Sequence, residues 1–436
     1  MKNFVPEIFW SIKVTHRRDD INVVFSWRRN WLFDRAVTVI LFERCIAAKL
    51  AKVIKVQEKP TKKWKPLPLT TVELQKMASL FLRMNSQQAM TIAENLYNKG
   101  FISYPRTETD KFDKDMNLRA LVGKQTQDNR WGQFAQNLVN GAFKQPREGR
   151  HDDKAHPPIH PVAYAALTAL NAEEGRVYEF VVRRFLACCS DDAKGQGTDV
   201  EIEYGDEIFN AYGVVVLERN YLDVYPYENW TNSTTLPKFT LGERFEPTEV
   251  MMNDGQTSAP SYLTEPDLIA LMDANGIGTD ATMAEHIAKI KEREYVYTRP
   301  KAGGRGGGND EIDAPVVASG ARGGRGGRGG RERGRGRGNG TSGGGGGLEE
   351  FIPSTLGVAL VDGYDKMDFE ISLSKPFLRK EMELKMKDIC EGRISQQDML
   401  QESLRHYKRV FEQSEERLDV LKAVSCIILR IALNEL

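Results

Sequence analysis

Over residues 8–60 the apolar positions crowd into short β-branched and aromatic runs, "FWSIKV", "INVVFSW", "AVTVILF" and "AKVIKV". These predict strands of a small β-rich module. The segment "KPTKKWKPLP", Lys59 to Pro68, is basic and broken by proline, so it predicts a connector; its second reading is a phosphate-contacting arm with Trp64 available for stacking. From Thr70 the period becomes helical. In "NSQQAMTIAENLYNKG" Asn85 stands as an N-cap with Gln88 three residues on. Ala89, Ile92, Ala93, Leu96 and Tyr97 then recur at helical spacing, and Gly100 stops the run. That helix leads straight into "FISYPRTETD". Proline disfavours a helical residue before it and donates no ladder hydrogen bond, so Tyr104 and Pro105 predict an edge or exposed strand. Residues 160–190 carry helical spacing, and "DVEIEYGDEIFNAYGVVVLERNYLDVYPY" returns to strands. The order predicts a β module interrupted by a helical insert.

In "LTEPDLIALMDANGIGTDATMAEHIAKIKEREYVYT" Thr264 and Asp267 form a capping-box start, and Leu268, Ile269, Leu271 and Met272 make an apolar stripe before Asn275–Gly276. Thr279 or Asp280 caps a second helix that carries Met283, Ile287 and Ile290. Two helices with a glycine-containing turn predict a helix-turn-helix, and "YVYT" begins a hairpin like a wing. Lys301–Gly347 interrupts that hairpin with "GARGGRGGRGGRERGRGRGNGTSGGGGG", which has almost no apolar side chains to bury. It predicts disorder, either a flexible linker or a polycation supplying phosphate contacts and arginine stacking. Order resumes at "FIPSTLGVALVDGYDKM", helical sequence follows from about Pro376, and "AVSCIILRIALNEL" predicts a terminal apolar helix.

At 436 residues the chain exceeds one compact core, and a hydrophobic fraction of 40% suffices to fill several. Lys+Arg of 61 balances Asp+Glu of 61, so affinity for nucleic acid has to come from local patches. The five cysteines, Cys45, Cys188, Cys189, Cys390 and Cys426, are odd in number and lack CxxC spacing, which predicts free thiols in a reducing compartment. No run of about 18 uncharged apolar residues occurs. The start "MKNFVPEIFWSIKV" has no signal-peptide apolar region, so the expectation is a soluble intracellular protein without a membrane partner.

Candidate chemistry gathers around Tyr104. Extended backbone repeats its side-chain direction every second residue, which puts Tyr104 and Arg106 on one face. The pair is either an ordinary stacked surface pair or a tyrosine nucleophile with a guanidinium fork placed for phosphate. In "DDKAHPPIHP" His156 and His160 have a metal-pair spacing, but Pro157 and Pro158 oppose the helical facing that such a pair needs. A hydrogen-bonding His156 follows. Lys154 is a phosphate contact or simply an exposed lysine. The adjacent pairs Asp19–Asp20 and Asp191–Asp192 lack a spacing that would hold Mg2+.

Taken together, "GFISYPRTETD", "DDKAHPPIHP" and "LTEPDLIALMDANGIGTDATMAEHI" resemble the motifs of type IA DNA topoisomerases, over roughly residues 5–300 and 350–412. The resemblance implies a mixed α/β multidomain chain, a fragment of that family's toroid. Residues 1–68 and 193–240 would form a β-rich arch, 69–192 a helical lid domain with the catalytic tyrosine, and 241–302 with 348–436 a helical, winged-helix-like base around a disordered Arg-Gly insert at 303–347. It implies that Tyr104 attacks a single-strand phosphodiester and holds the 5′ phosphate, that Arg106 steadies that phosphate, and that His156 is the active-site histidine. A covalent phosphotyrosine retains the bond energy, so resealing needs no ATP. Lys154, His160 (where bacterial members more usually have arginine), Gly276, Gly278, Thr279, Asp280 and Thr282 are implied DNA contacts. The implied cofactor is Mg2+, held in the family by a Toprim domain with a catalytic glutamate and an acidic DxDxE-type site ahead of anything matched here. The expectation is therefore a chain that alone binds single-stranded DNA without relaxing supercoils. Implied partners are single-stranded DNA, a RecQ-type helicase and an OB-fold accessory protein, in the nucleus. The competing reading is a non-catalytic single-stranded nucleic-acid-binding protein; a tyrosine recombinase would need an Arg…His-x-x-Arg…Tyr order that is absent.

Overall fold

In the computed structural model, which describes residues 4–230, 236–278, 282–301, 348–367, 374–420 and 422–423, the first two strands follow the alternation of the sequence. β1 (Ile8–Arg18) buries Ile12 and Val14, and β2 (Ile21–Trp27) buries Val23, Phe25 and Trp27, every second residue, as one covered face requires. Arg18 pairs with Ile21, and the two turn residues Asp19 and Asp20 take left-handed φ values of 50° and 60°, which short Asp side chains tolerate.

The third apolar run departs from expectation. "AVTVILF" lies in α1 (Arg35–Ala48), where the Asp34 carboxylate accepts the Val37 N–H at 3.1 Å and caps the helix. Only Thr38 and Cys45 of α1 are buried, so no apolar stripe marks it as helical. β3 (Ala51–Lys63) then runs through Pro60 into the predicted connector. Proline is admissible there because β3 pairs on one side with β4 (Ala193–Tyr204), whereas the short β6 (Arg244–Phe245) covers its outer edge only at Ala51 and Lys52.

Between β3 and β4 stands the helical part: α2 (Thr71–Met77) continuing into a π-helical turn at Ala78–Leu82, α3 (Ser86–Asn98), α4 (Leu118–Lys124), α5 (Gly132–Asn137) and α6 (Ala172–Cys188). Side chains at Thr70, Asn85, Asn117 and Asn171 accept first-turn N–H groups, and Leu74, Ala89, Ala93, Leu96, Val177, Phe180 and Phe185 share one core. β5 (Glu207–Glu218) follows, and β7 (Glu249–Gln256) pairs with β1. The resulting seven-stranded sheet has the order β6-β3-β4-β5-β2-β1-β7, antiparallel throughout. Its strands extend to Gln256, beyond the boundary at residue 240 that the sequence suggested, because β7 supplies the edge partner that β1 lacks.

α7 (Glu265–Ala274) starts at the capping box of Thr264 and Asp267, and α8 (Met283–Glu292) packs Met283 and Ile287 against Ile269, Met272 and Phe351. β8 (Val296–Pro300) pairs antiparallel with β9 (Glu349–Pro353), so the predicted hairpin closes across the insert. The expected disorder at 303–347 and the terminal apolar helix at 424–436 lie outside the described residues. α9 (Thr355–Lys366), α10 (Phe377–Cys390) and α11 (Gln396–Glu416) complete a mixed α/β chain. Among the described residues Cys45, Cys188, Cys189 and Cys390 are free thiols, and no helix is long and apolar enough to cross a membrane.

Candidate active site

α3 delivers the chain to Tyr104. Its run closes at Gly100, where φ is +77°, and the Phe101 N–H returns to the Leu96 carbonyl at 3.0 Å. Ile102 bridges to Pro161, the Ser103 N–H donates to the His160 carbonyl at 2.9 Å, and the His160 N–H donates back to Ser103 Oγ at 3.0 Å. The extended pairing ends there, so Tyr104 is not in the edge strand predicted for it. Side chains replace the ladder: buried Thr71 donates its hydroxyl to the Pro105 carbonyl at 2.7 Å and accepts the Thr107 N–H at 2.7 Å.

The Tyr104 ring is half-buried and has two ring neighbours, Tyr97 edge-on at 5.3 Å and His156 tilted by 39° at 4.6 Å between centroids. Among the described residues the Tyr104 hydroxyl has no hydrogen-bond partner. Arg106 does not stack on it. Its Nε and Nη2 lie 2.8 Å and 2.7 Å from Oε1 of Glu94, so a carboxylate from α3 holds the guanidinium. Glu94 and Tyr97 are three residues apart and share a face of that helix.

His156 is placed through its backbone. Asp153 Oδ1 accepts the N–H groups of Ala155 and His156, each at 2.8 Å, while Oδ2 accepts the Thr107 hydroxyl at 3.0 Å. The imidazole Nδ1 is 3.9 Å from Oδ2, too far for a hydrogen bond. Burial alone would raise the Asp153 carboxyl, but those N–H groups and the hydroxyls of Thr107 and Thr109 outweigh it and hold the group at about 2. The Asp153 N–H also donates to Thr109 Oγ1 at 3.0 Å, which fastens the histidine loop to the segment after Tyr104.

Lys154 is exposed beside this loop with a left-handed φ of 58°. His160 is 3% exposed, its Nδ1 lies 2.6 Å from the Pro158 carbonyl, and its ring faces Phe112 and Phe185. Burial, opposed by the Pro158 carbonyl, keeps its pKa below the ordinary histidine value. Gly276 and Gly278 have left-handed φ values of 62° and 79°, and a Cβ at Gly278 would stand 3.0 Å from Met283 Cγ. Thr282 precedes α8, while Thr279 and Asp280 lie outside the described residues. This turn is joined to the tyrosine side through Ser86, the first residue of α3, whose N–H donates at 2.9 Å to Glu265 at the start of α7.

The structure thus gathers Tyr104, Arg106 and His156, leaves Lys154 exposed in the histidine loop, buries His160, and adds Glu94, Tyr97, Asp153 and Thr71, which motif reading passed over. The available signals were the i, i+3 spacing of Glu94 and Tyr97 and the Asp-x-x-His pattern of an Asx turn. Among the described residues no group of three or more His, Cys, Asp or Glu comes together to hold a metal ion.

A family model described as DNA topoisomerase matches residues 1–303. DNA topoisomerase 3 of Schizosaccharomyces pombe is 44% identical over 436 residues, covering 100% of this chain and 63% of its own length. DNA topoisomerase 3-alpha of Homo sapiens is 45% identical over 408 residues, covering 94% of this chain and 36% of its own. The structure of full-length topoisomerase I from Thermotoga maritima is similar with a TM-score of 0.65 at 19% identity, covering 95% of this chain and 60% of that one, a likeness of fold alone. The chain spans less than two thirds of the length of each. With residues 1–303 matched and relatives at 44% and 45% identity, the chain belongs to the DNA topoisomerase family.

Proposed function

We propose that this chain carries the cleavage tyrosine of a type IA DNA topoisomerase. Tyr104 Oη attacks a phosphodiester phosphorus of a single strand, an O–P bond to the 5′ phosphate forms, and the bond to the 3′ oxygen breaks, that oxygen leaving as a hydroxyl with a proton. Attack by the same hydroxyl reverses the step, so nothing is oxidised or consumed. The carrying observation is the setting of Tyr104: a ring braced by Tyr97 and His156, with the Arg106 guanidinium held two residues away by Glu94. Arg106, held by Glu94, brings a guanidinium charge, and His156 a donor, close to where negative charge builds on the phosphate oxygens.

In this reading residues 69–192 form a lid that opens to pass a second strand, and Lys154, Gly276, Gly278, Thr279, Asp280 and Thr282 line the path of single-stranded DNA. Resemblance to the eukaryotic relatives supports work in the nucleus on recombination and repair intermediates, with a RecQ-type helicase and an OB-fold accessory protein. The test uses a 3′-end-labelled single strand, Mg2+, and a Toprim domain of the family added in trans. A labelled covalent adduct on a denaturing gel is expected for the native chain and none for Tyr104→Phe, while strand affinity changes by less than about twofold, since one hydroxyl bond is worth little net. An adduct with the Phe variant, or none with either, removes Tyr104 from the role.

A further inference from the structure

α3 turns most of its apolar side chains inward. Ala89, Met90, Ile92, Ala93 and Leu96 are buried, yet Tyr97 keeps 43% of its surface open, and among the described residues its hydroxyl has no hydrogen-bond partner. A tyrosine kept only for packing has its ring enclosed by neighbours, and Tyr97 does not. Among the described residues its ring contact is with Tyr104, edge-on at 72° and 5.3 Å. One turn earlier on the same face Glu94 holds Arg106, so Tyr97 stands at the rim of the place where a phosphate would meet both Tyr104 and the guanidinium.

A nucleotide carries its base to one side of the phosphate, and an unpaired base in water seeks an aromatic face. We propose that Tyr97 is a nucleobase-stacking platform beside the cleavage position, taking one unpaired base of the single strand. The platform rests on the reading of Tyr104 as nucleophile. Because stacking engages the π-face and not the hydrogen-bonding edges, it accepts any base, and because the base must be unstacked from a neighbour, it favours single strands over duplex. His156, whose ring centroid lies 4.6 Å from that of Tyr104, is drawn to the Asp153 turn through its backbone and serves the phosphate instead.

Fluorescence anisotropy of the full chain with two labelled strands tests the platform: an oligothymidylate, and an abasic strand of equal length and charge. Tyr97→Leu is expected to weaken thymidylate binding about tenfold, the scale of one base–aromatic stack, and abasic binding by less than about twofold. Tyr97→Phe and Tyr97→Trp keep a ring and should keep the preference for the strand with bases; they also decide the matter should the leucine variant fold poorly. Equal losses on both strands would reduce Tyr97 to a prop for Tyr104, and no loss on either would remove it from the site. Binding does not require cleavage, so Tyr104→Phe should show the same dependence on Tyr97. A missing adduct with that dependence intact sinks the nucleophile alone, and an adduct without the dependence sinks the platform alone.

Discussion

Asp153 joins the two segments that face one another at Tyr104, and its ionisation is therefore part of the site's stability. Its side chain is 23% exposed and accepts the N–H groups of Ala155 and His156 and the Thr107 hydroxyl. The folded-state pKa of about 2 lies below the free-chain value of about 3.9. The stabilisation is accordingly complete above the unfolded value and fades as pH falls through the folded one. Asp153→Asn keeps one acceptor oxygen and loses the charge, so it should cost about 1 kcal/mol at pH 7 after allowance for solvent screening. Denaturant melts should show that gap shrinking to about half near pH 3, where the unfolded chain's carboxyl is protonated and the native one still ionised; a gap constant with pH would mean that the charge contributes nothing. The histidine motif was legible in sequence, but not the division of labour within it. His156 and His160 have the same chemistry, and only Phe112 and Phe185, brought in from distant segments, enclose one and leave the other open.

At the level of elements, caps and stops were the most legible features because they are local. Asn85 and Gly100 bound α3 as predicted, and Thr264 with Asp267 opens α7. The failures were elements whose state is set from outside. α1 shows a β-branched run and little burial, and its helix rests on the Asp34 cap; β3 passes through Pro60 because β4 pairs with it on one side. α6 illustrates a local device with a distant effect. Asn171 accepts the N–H groups of Glu173 and Glu174, and the Glu174 carboxylate returns to the Asn171 N–H at 3.1 Å while both its oxygens lie 2.8 Å from Lys99 Nζ. The Lys99 ammonium holds the Glu174 carboxyl below its usual range, and Lys99 itself ends α3. The capping box thus tethers the helix that carries Glu94 and Tyr97. Asn171→Ala should lower stability by about 1 kcal/mol in urea melts, the usual loss for an N-cap, with single-strand affinity unchanged because the core still fixes α3. A variant as stable as the native chain would show that water caps this end equally well.

Across the whole molecule the charges cancel, 61 against 61, so binding to a polyanion has to be concentrated locally. In the sequence such a concentration is the segment in which Arg322, Arg325, Arg328 and Arg331 recur every third residue. The order of motifs along the chain made the family resemblance readable, whereas the sheet did not announce itself, since β7 joins β1 from more than two hundred residues away. The hairpin that receives the Arg-Gly segment has closing bonds among the described residues. Pro300 pairs with Glu349, the Lys301 N–H donates to the Leu348 carbonyl at 2.8 Å, and the Ser354 N–H donates to the Tyr295 carbonyl at 3.0 Å. Replacing Gly303–Gly347 with a short Asn-Gly turn should therefore leave the fold intact. Shorter loops cost less closure entropy, so stability should be unchanged or rise by at most about 2 kcal/mol. Affinity should fall by another route. Arginines that displace condensed counterions make binding salt-dependent, and every phosphate that the shortened chain no longer neutralises should flatten the log–log salt slope by roughly 0.7 for a single strand. Kd values measured across a salt series separate the two readings of the segment. A flatter slope with an unchanged melt marks it as a second phosphate-binding region, while an unchanged slope leaves it as a linker.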